Sequence, residues 1–307
     1  MEGHKPPRGG VLSLDSTLSS QYVNPLACRE ARVKMPLDGS ASPAKKIDLV
    51  ADPEKQVMPP APCRPARGLA SFMLIIPTYN EKDNIAPLVA RVRKAAGNEP
   101  ILFADDSSPD GTADEVRRVQ AHDPYVHLIV RPGKDGYGSA CRQAMKKVLT
   151  ENLDDHLVQF DADLSHPPEV LPRVLEMVKS YDVVIGSRYI AGGGSVNWDL
   201  RRKILSFGAN LYARTLTGVP VHDMTAGFVA YRADILRRID LDSITSNGYA
   251  FLMELKFNLH RKGARFAEVP IVFAEREAGK SKFSKKIMIE GVKFPVRAML
   301  KRLGGSR

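Results

Sequence analysis

The sequence predicts an α/β protein: a mainly parallel sheet with helices on both faces, set between a disordered amino-terminal extension and an amphipathic carboxyl-terminal helix. Three observations predict it. Short apolar runs rich in branched residues alternate with longer amphipathic stretches; residues 1–70 hold 10 of the 22 prolines but only one of the 21 aromatics, Tyr22; and the charge turns strongly basic only near the end.

Taken in order, residues 1–70 cannot bury enough apolar surface to offset the entropy of ordering them, so they read as a disordered Pro-rich extension. At Phe72 the character changes. The apolar runs are Phe72 to Ile76, Ile101 to Phe103, Val126 to Val130, Leu157 to Phe160 and Val183 to Ile185. Amphipathic stretches follow the first four of them: Ile85 to Ala96, Ala113 to Ala121, Gly138 to Leu149 and Glu169 to Val178. Five buried strands interleaved with helices imply parallel strands covered on both sides. Between Ser284 and Leu303, Lys286, Glu290, Lys293, Arg297 and Lys301 recur three or four residues apart along one helical face. Ile289, Val292, Val296, Met299, Leu300 and Leu303 form the other face, and Pro295 is expected to kink or interrupt the helix. The chain therefore divides into residues 1–70, an α/β domain over 71–283, and a basic amphipathic helix over 284–307 that can lie in a membrane interface or pack on the core.

Composition excludes several classes. The 307 residues are 43% hydrophobic and 26% charged, which is ordinary for a soluble globular chain. No apolar run approaches the ~20 residues that cross a bilayer. The start lacks the apolar centre of a secretory signal. Cys28, Cys63 and Cys141 are odd in number and without CxxC spacing, which argues against a disulfide framework or a zinc site and for a reducing compartment. The net charge is +10, and Lys256 to Arg307, with 14 Lys and Arg against 4 Asp and Glu, holds all of it. Such an end can meet nucleic acid, an anionic membrane or a phosphorylated substrate. Aromatic stacking clusters and nucleic-acid motifs are missing, so no nucleic-acid partner is expected.

In sheets of this kind ligands bind beyond the carboxyl ends of the strands. That selects Pro77-Thr-Tyr-Asn-Glu81, Asp105-Asp106, Asp161-Ala-Asp163 and Gly186-Ser-Arg188. Asp161 and Asp163, two apart in an extended segment, project to one side and can share a hard cation such as Mg²⁺ or Mn²⁺. Asp105 and Asp106 at a buried strand end must hydrogen-bond something, and a nucleotide base or ribose is the natural candidate. Thr112 reads as a helix N-cap, and Gly136 and Gly138 as turn and packing residues.

These segments resemble a family. Pro77 to Glu81, Asp105 to Thr112, Arg131 to Ala140, Asp161 to Pro168, Gly186 to Tyr189, Arg201 to Ser206, Asp223 to Phe228, Gly248 to Phe251 and Glu275 to Lys282 look like those of dolichol-phosphate or polyprenol-phosphate mannosyltransferases. The resemblance covers roughly residues 72 to 290 and implies an inverting glycosyltransferase of the Rossmann-like GT-A fold. It implies that Pro77, Tyr79, Glu81 and Asp106 hold the donor nucleotide, with Arg276 and Lys282 clamping its diphosphate. Asp161, Asp163 and Ser165 are the implied Mg²⁺ or Mn²⁺ ligands. Arg188, Arg202 and Ser206 are the implied acceptor-phosphate residues, and Asp163, Arg188 and Arg202 the catalytic ones. The implied donor is GDP-mannose and the implied acceptor a dolichyl or polyprenyl phosphate. The implied location is cytoplasmic, peripheral on the cytosolic face of a membrane, with a small membrane-anchoring subunit as a candidate partner.

Residue chemistry agrees. Transfer to a hydroxyl needs a general base, whereas a phosphate monoester oxygen is already anionic near neutral pH and needs cations instead. Arg188, Arg202, Arg276 and Lys282 supply them in glycine- and serine-rich surroundings. Asp223 stays open: it can act as a base toward a hydroxyl acceptor, orient Arg202, or cap a turn. A relative using UDP-glucose or a soluble acceptor, and an inactive membrane scaffold, are the alternatives.

Overall fold

The computed structural model describes residues 72–274 and 285–304. The five expected strands are present: β1 (Met73–Thr78), β2 (Ile101–Asp105), β3 (Val126–Val130), β4 (His156–Gln159) and β5 (Val183–Ser187). The helices between them are α1 (Lys82–Ala96), α2 (Thr112–Gln120), α3 (Tyr137–Thr150) and α4 (Leu171–Val178). A 3₁₀ turn over Pro168–Val170 precedes α4, where the sequence predicts one helix from Glu169. The chain continues through β6 (Gly194–Ser195), α5 (Leu200–Thr217), β7 (Val229–Arg232), α6 (Ala233–Leu236), α7 (Gly248–Arg261), β8 (Phe266–Pro270), β9 (Val272–Phe273) and α8 (Lys285–Leu303).

Seven strands form one sheet in the order β3-β2-β1-β4-β7-β5-β8; β7 runs antiparallel to both its neighbours, and the other pairs are parallel. A separate parallel pair joins β6 to β9. Alternation along β1 shows why the sheet is covered twice. Met73 and Ile75 enter one core with residues of α3, α7 and α8, while Leu74 and Ile76 enter the other with residues of α1, α2 and α4. Each such side chain, fully buried, contributes about 1.5–3 kcal/mol, which fixes the strand register and hence the positions of the loops at its ends.

Helix α8 runs unbroken through Pro295 and packs against α5 and α7. Its inward residues are Phe294, Pro295 and Ala298, with Phe294 edge-on to Phe257 at 6.1 Å. The stripe that the sequence singles out is turned outward instead: Ile289, Val292, Val296, Leu300 and Leu303 are exposed, and Met299 is partly covered. Helix α5 adds Leu200, Ile204, Leu205, Phe207 and Leu211 to the exposed apolar surface, and the Tyr212 hydroxyl donates to the Val292 carbonyl at 3.0 Å. Among the described residues no helix is long and apolar enough to cross a membrane.

Candidate active site

The loops after β1, β2 and β3 form one wall beyond the sheet's carboxyl edge. Asn80 takes a left-handed conformation, and its N–H donates to Ser108 Oγ at 3.0 Å. The Glu81 and Lys82 amides donate to Thr112 Oγ1 and Asp110 Oδ2. Thr112 is therefore not the N-cap: Gly111 caps α2, and the Thr112 hydroxyl staples the first loop to the second while donating to Asp110. The partners of the two strand-end carboxylates come from the protein. Asp105 accepts from Thr78 Oγ1 at 3.0 Å and from the Ser108 amide and hydroxyl, at 2.9 and 2.5 Å. Asp106 is ion-paired with Arg131, both almost fully buried, and accepts from the Gly136 amide at 3.1 Å. Burial raises the Asp106 pKa, with Arg131 pulling against it. Arg131, to which sequence reasoning gave no role, also donates to Gln143 and Ser139 and so ties β2, β3 and α3 together. Pro77 lies in β1, and the Tyr79 ring carries the Lys134 ammonium 3.8 Å from its centroid.

The second cluster surrounds the acidic turn after β4. Asp161 Oδ1 accepts from the Tyr137 hydroxyl at 2.9 Å, and its Oδ2 meets His166 Nε2 at 3.1 Å. Burial, then the Asp161 charge, push the Tyr137 phenol well above its ordinary pKa, so it remains a proton donor. Its oxygen accepts from Gln159 at 2.8 Å. Asp163 Oδ1 accepts from the Ser165 amide at 3.1 Å and hydroxyl at 2.5 Å. Gly227 closes against this turn: a Cβ there would stand 2.9 Å from Asp161 Oδ2 and 3.0 Å from the Tyr137 oxygen. Among the described residues no group of three or more His, Cys, Asp and Glu could hold a metal alone. Asp161, beside a position that a glycine keeps clear, and Asp163 two residues on are oxygen donors of the kind a hard cation takes, its remaining ligands coming from a diphosphate.

The third cluster centres on Arg188 at the end of β5. Its guanidinium donates to both oxygens of fully buried Asp223, at 2.8 Å each, and to Thr225 Oγ1; its amide also reaches Asp223 at 3.1 Å. Burial opposes both charges, but their mutual attraction prevails, holding the carboxyl below and the guanidinium above its usual range. Asp223 thus orients Arg188, not Arg202. Below the same loop, fully buried Lys256 donates to the Met224 and Ala226 carbonyls at 3.0 and 2.9 Å, and burial draws its pKa down to about 7. Ser206 accepts from the Tyr189 hydroxyl at 2.6 Å. Arg202 stacks on Trp198, 4.1 Å from the ring centroid. Phe273 touches His166, Trp198 and Arg188, and so stands between the acidic turn and the arginines. Arg276 and Lys282 lie outside the described residues.

This architecture, with an acidic turn at the centre of a mainly parallel sheet, is that of a GT-A glycosyltransferase. Solved structures of glucosyl-3-phosphoglycerate synthase from Mycobacterium tuberculosis share the fold. One of them, with Mn²⁺, uridine-diphosphate and phosphoglyceric acid, has a TM-score of 0.54 at 17% identity over 76% of this chain and 79% of that one. The chain belongs to glycosyl transferase family 2, which matches residues 73–240, and it is a glycosyltransferase. It is 47% identical to the undecaprenyl-phosphate mannosyltransferase of Micrococcus luteus over 72% of its length and 90% of the relative's. It is 41% identical to the polyprenol monophosphomannose synthase of Mycolicibacterium smegmatis, over 80% and 94%. The dolichol-phosphate mannosyltransferase of Pyrococcus furiosus is 36% identical over 74% of this chain, which spans 63% of that protein.

Proposed function

We propose that the chain moves mannose from GDP-mannose to a dolichyl or polyprenyl phosphate with inversion, giving a β-linked lipid phosphomannose. The observation that carries this reading is the commitment of Asp223 to Arg188: the carboxylate nearest the acceptor cations is buried and ion-paired, which suits an acceptor that arrives already anionic. The relatives named as lipid-phosphate mannosyltransferases support the same acceptor and sugar.

In this reading Arg188, Arg202 and Ser206 receive the acceptor phosphate and hold it for attack on the anomeric carbon from the side opposite the leaving group. Pro77, Tyr79, Glu81 and Asp106 line the donor nucleotide, Asp106 through its grip on Arg131 and Gly136. Arg276 and Lys282 complete the donor side. Asp161, Asp163 and Ser165 would hold Mg²⁺ or Mn²⁺, which supplies positive charge against the departing diphosphate. Tyr137 and His166 fix the Asp161 carboxylate by hydrogen bonds to separate oxygens.

A lipid acceptor needs a protein that reaches the bilayer. The outward apolar residues of α5 and α8, bordered by exposed Arg201, Lys203, Lys293, Arg297 and Lys301, suit an anionic membrane surface, each cation contributing on the order of 1 kcal/mol. A peripheral location on the cytosolic face of a membrane, with or without a small anchoring subunit, is part of this reading. Residues 71–283 form the catalytic domain, and 284–307 its interfacial helix.

Incubation with labelled GDP-mannose, a polyprenyl phosphate and Mg²⁺ or Mn²⁺, followed by organic extraction, tests the proposal. Lipid-soluble label is expected with wild type and is expected to vanish in Asp163→Ala. Label transferred only from UDP-glucose, or only to a soluble hydroxyl acceptor, would overturn it.

A further inference from the structure

Lys256 is a buried ionisable group to which the proposed chemistry gives no part. It stands in α7, a helix whose Phe251, Leu255 and Leu259 belong to the core, and its side chain is fully enclosed. A lysine is rarely placed so unless something in the core takes its N–H groups. Here the takers are two carbonyls of the loop between α5 and β7: the amine donates to Met224 at 3.0 Å and to Ala226 at 2.9 Å. Burial draws its pKa to about 7, and the neutral amine above that pH still has two N–H groups, one for each carbonyl.

Thr225 lies between those carbonyls. The Met224 carbonyl and the Thr225 N–H belong to one planar peptide unit. Asn210 of α5, also buried, accepts from that N–H at 3.1 Å, and Lys256 takes the opposite end of the same unit. Glu268 holds the loop further back, accepting from the Asp223 amide at 3.1 Å. A plane held at its N–H alone can pivot about that bond, and the Thr225 side chain would turn with it. Gripped at both ends, the plane fixes the Thr225 hydroxyl, which accepts from the Arg188 guanidinium at 2.8 Å. Asp223, on the other side of Met224, accepts from the same guanidinium at 2.8 Å. The loop therefore sets the direction of Arg188, and α7 sets the loop.

We propose that Lys256 is a positioning residue for the acceptor phosphate: by holding the Met224 and Ala226 carbonyls it keeps Asp223 and Thr225 in the arrangement that aims Arg188. This rests on the reading of Arg188 as an acceptor cation.

Lys256→Met, which keeps most of the volume and removes the N–H groups, is expected to raise the KM for a short-chain prenyl phosphate about tenfold while the KM for GDP-mannose stays within about twofold. Leu255→Ala, a core truncation one position away, is expected to lower the melting temperature and leave both KM values within about twofold of wild type. In hydrogen-exchange mass spectrometry, peptides covering Asp223 to Phe228 should exchange about tenfold faster in Lys256→Met, with those of β1 unchanged. Where the Met variant does not fold, Lys256→Gln, with two N–H groups on a neutral head one bond shorter, takes its place; a rise of about threefold in the acceptor KM alone is then expected. An unchanged acceptor KM, equal rises in both KM values, or the same acceptor effect in Leu255→Ala would each overturn the inference, because general loosening of the core would account for the loss. Failure of wild type to glycosylate any prenyl phosphate would instead defeat the parent reading. The exchange measurement would still report whether Lys256 holds the loop, and an unchanged rate over Asp223 to Phe228 would overturn that.

Discussion

Replacing Asp223 separates a structural carboxylate from a proton acceptor. In Asp223→Ala the Arg188 guanidinium, 9% exposed, loses two side-chain hydrogen bonds of 2.8 Å and the attraction that offsets its burial. Removing one partner of a buried ion pair costs about 3–5 kcal/mol, because the remaining charge stays desolvated. For a body of this size each kcal/mol lowers the melting temperature by roughly 2–4 °C, so a fall of roughly 6–20 °C is expected in circular dichroism melts. Adding Arg188→Met should recover much of the loss, since the stranded charge goes with it, although acceptor binding should not return. The acid side gives a further check. The Asp223 pKa is depressed in the fold, so its contribution is present above the ordinary aspartate range and is lost as pH falls through the folded value; the variant should lack that segment of the stability profile. A melting temperature within 2 °C of wild type together with a kcat about 10³-fold lower at unchanged KM would refute the argument and mark Asp223 as a general base.

Three other outcomes follow from the geometry. Gly227→Ala drives a methyl to 2.9 Å from Asp161 Oδ2, so activity should fall by about 10²-fold with little change in global unfolding; retention of near wild-type kcat would show that the acidic turn tolerates displacement. Lys256, with its pKa drawn from 10.5 to about 7, binds a proton in the unfolded chain but not in the fold between those values, so wild-type stability relative to Lys256→Met should rise with pH there. Urea denaturation at several pH values measures this, with a slope of about 1.4 kcal/mol per unit expected and a zero slope ruling out the buried neutral amine. Leu205→Glu with Leu300→Glu, both at exposed positions, should abolish flotation with anionic liposomes while leaving the fold intact; undiminished flotation would remove α5 and α8 from the membrane face.

Much of this molecule was legible where sequence signals are local. Strands β1 to β5 announce themselves because residues buried on both faces must be apolar in succession, and the reactive loops lie at their ends by the logic of parallel sheets. The strands that escaped are of another kind. β7 and β8 hold four and five residues of mixed polarity, and β6 and β9 two each, too short for any periodicity. Their positions depend on neighbours distant in the chain. The same distinction divides the site. Asp161, Asp163 and Arg188 could be named because each follows a buried run directly. Arg131, Tyr137, His166 and Lys256 could not be given roles, because their functions consist of contacts across separations such as Arg131 to Asp106 and Lys256 to Met224, which no spacing rule encodes. Asp223 is the sharpest instance. From the sequence it was open as a base, a cap or an orienting group for Arg202; its burial beside Arg188 favours an orienting role toward that arginine, since both carboxylate oxygens accept from one guanidinium and the carboxyl is held below its usual range. The exposed stripe of α8 follows the same principle in reverse. Periodicity identified its apolar face correctly, but which face turns inward depends on Phe257 of α7 meeting Phe294, a contact between residues that the one-dimensional pattern leaves unrelated.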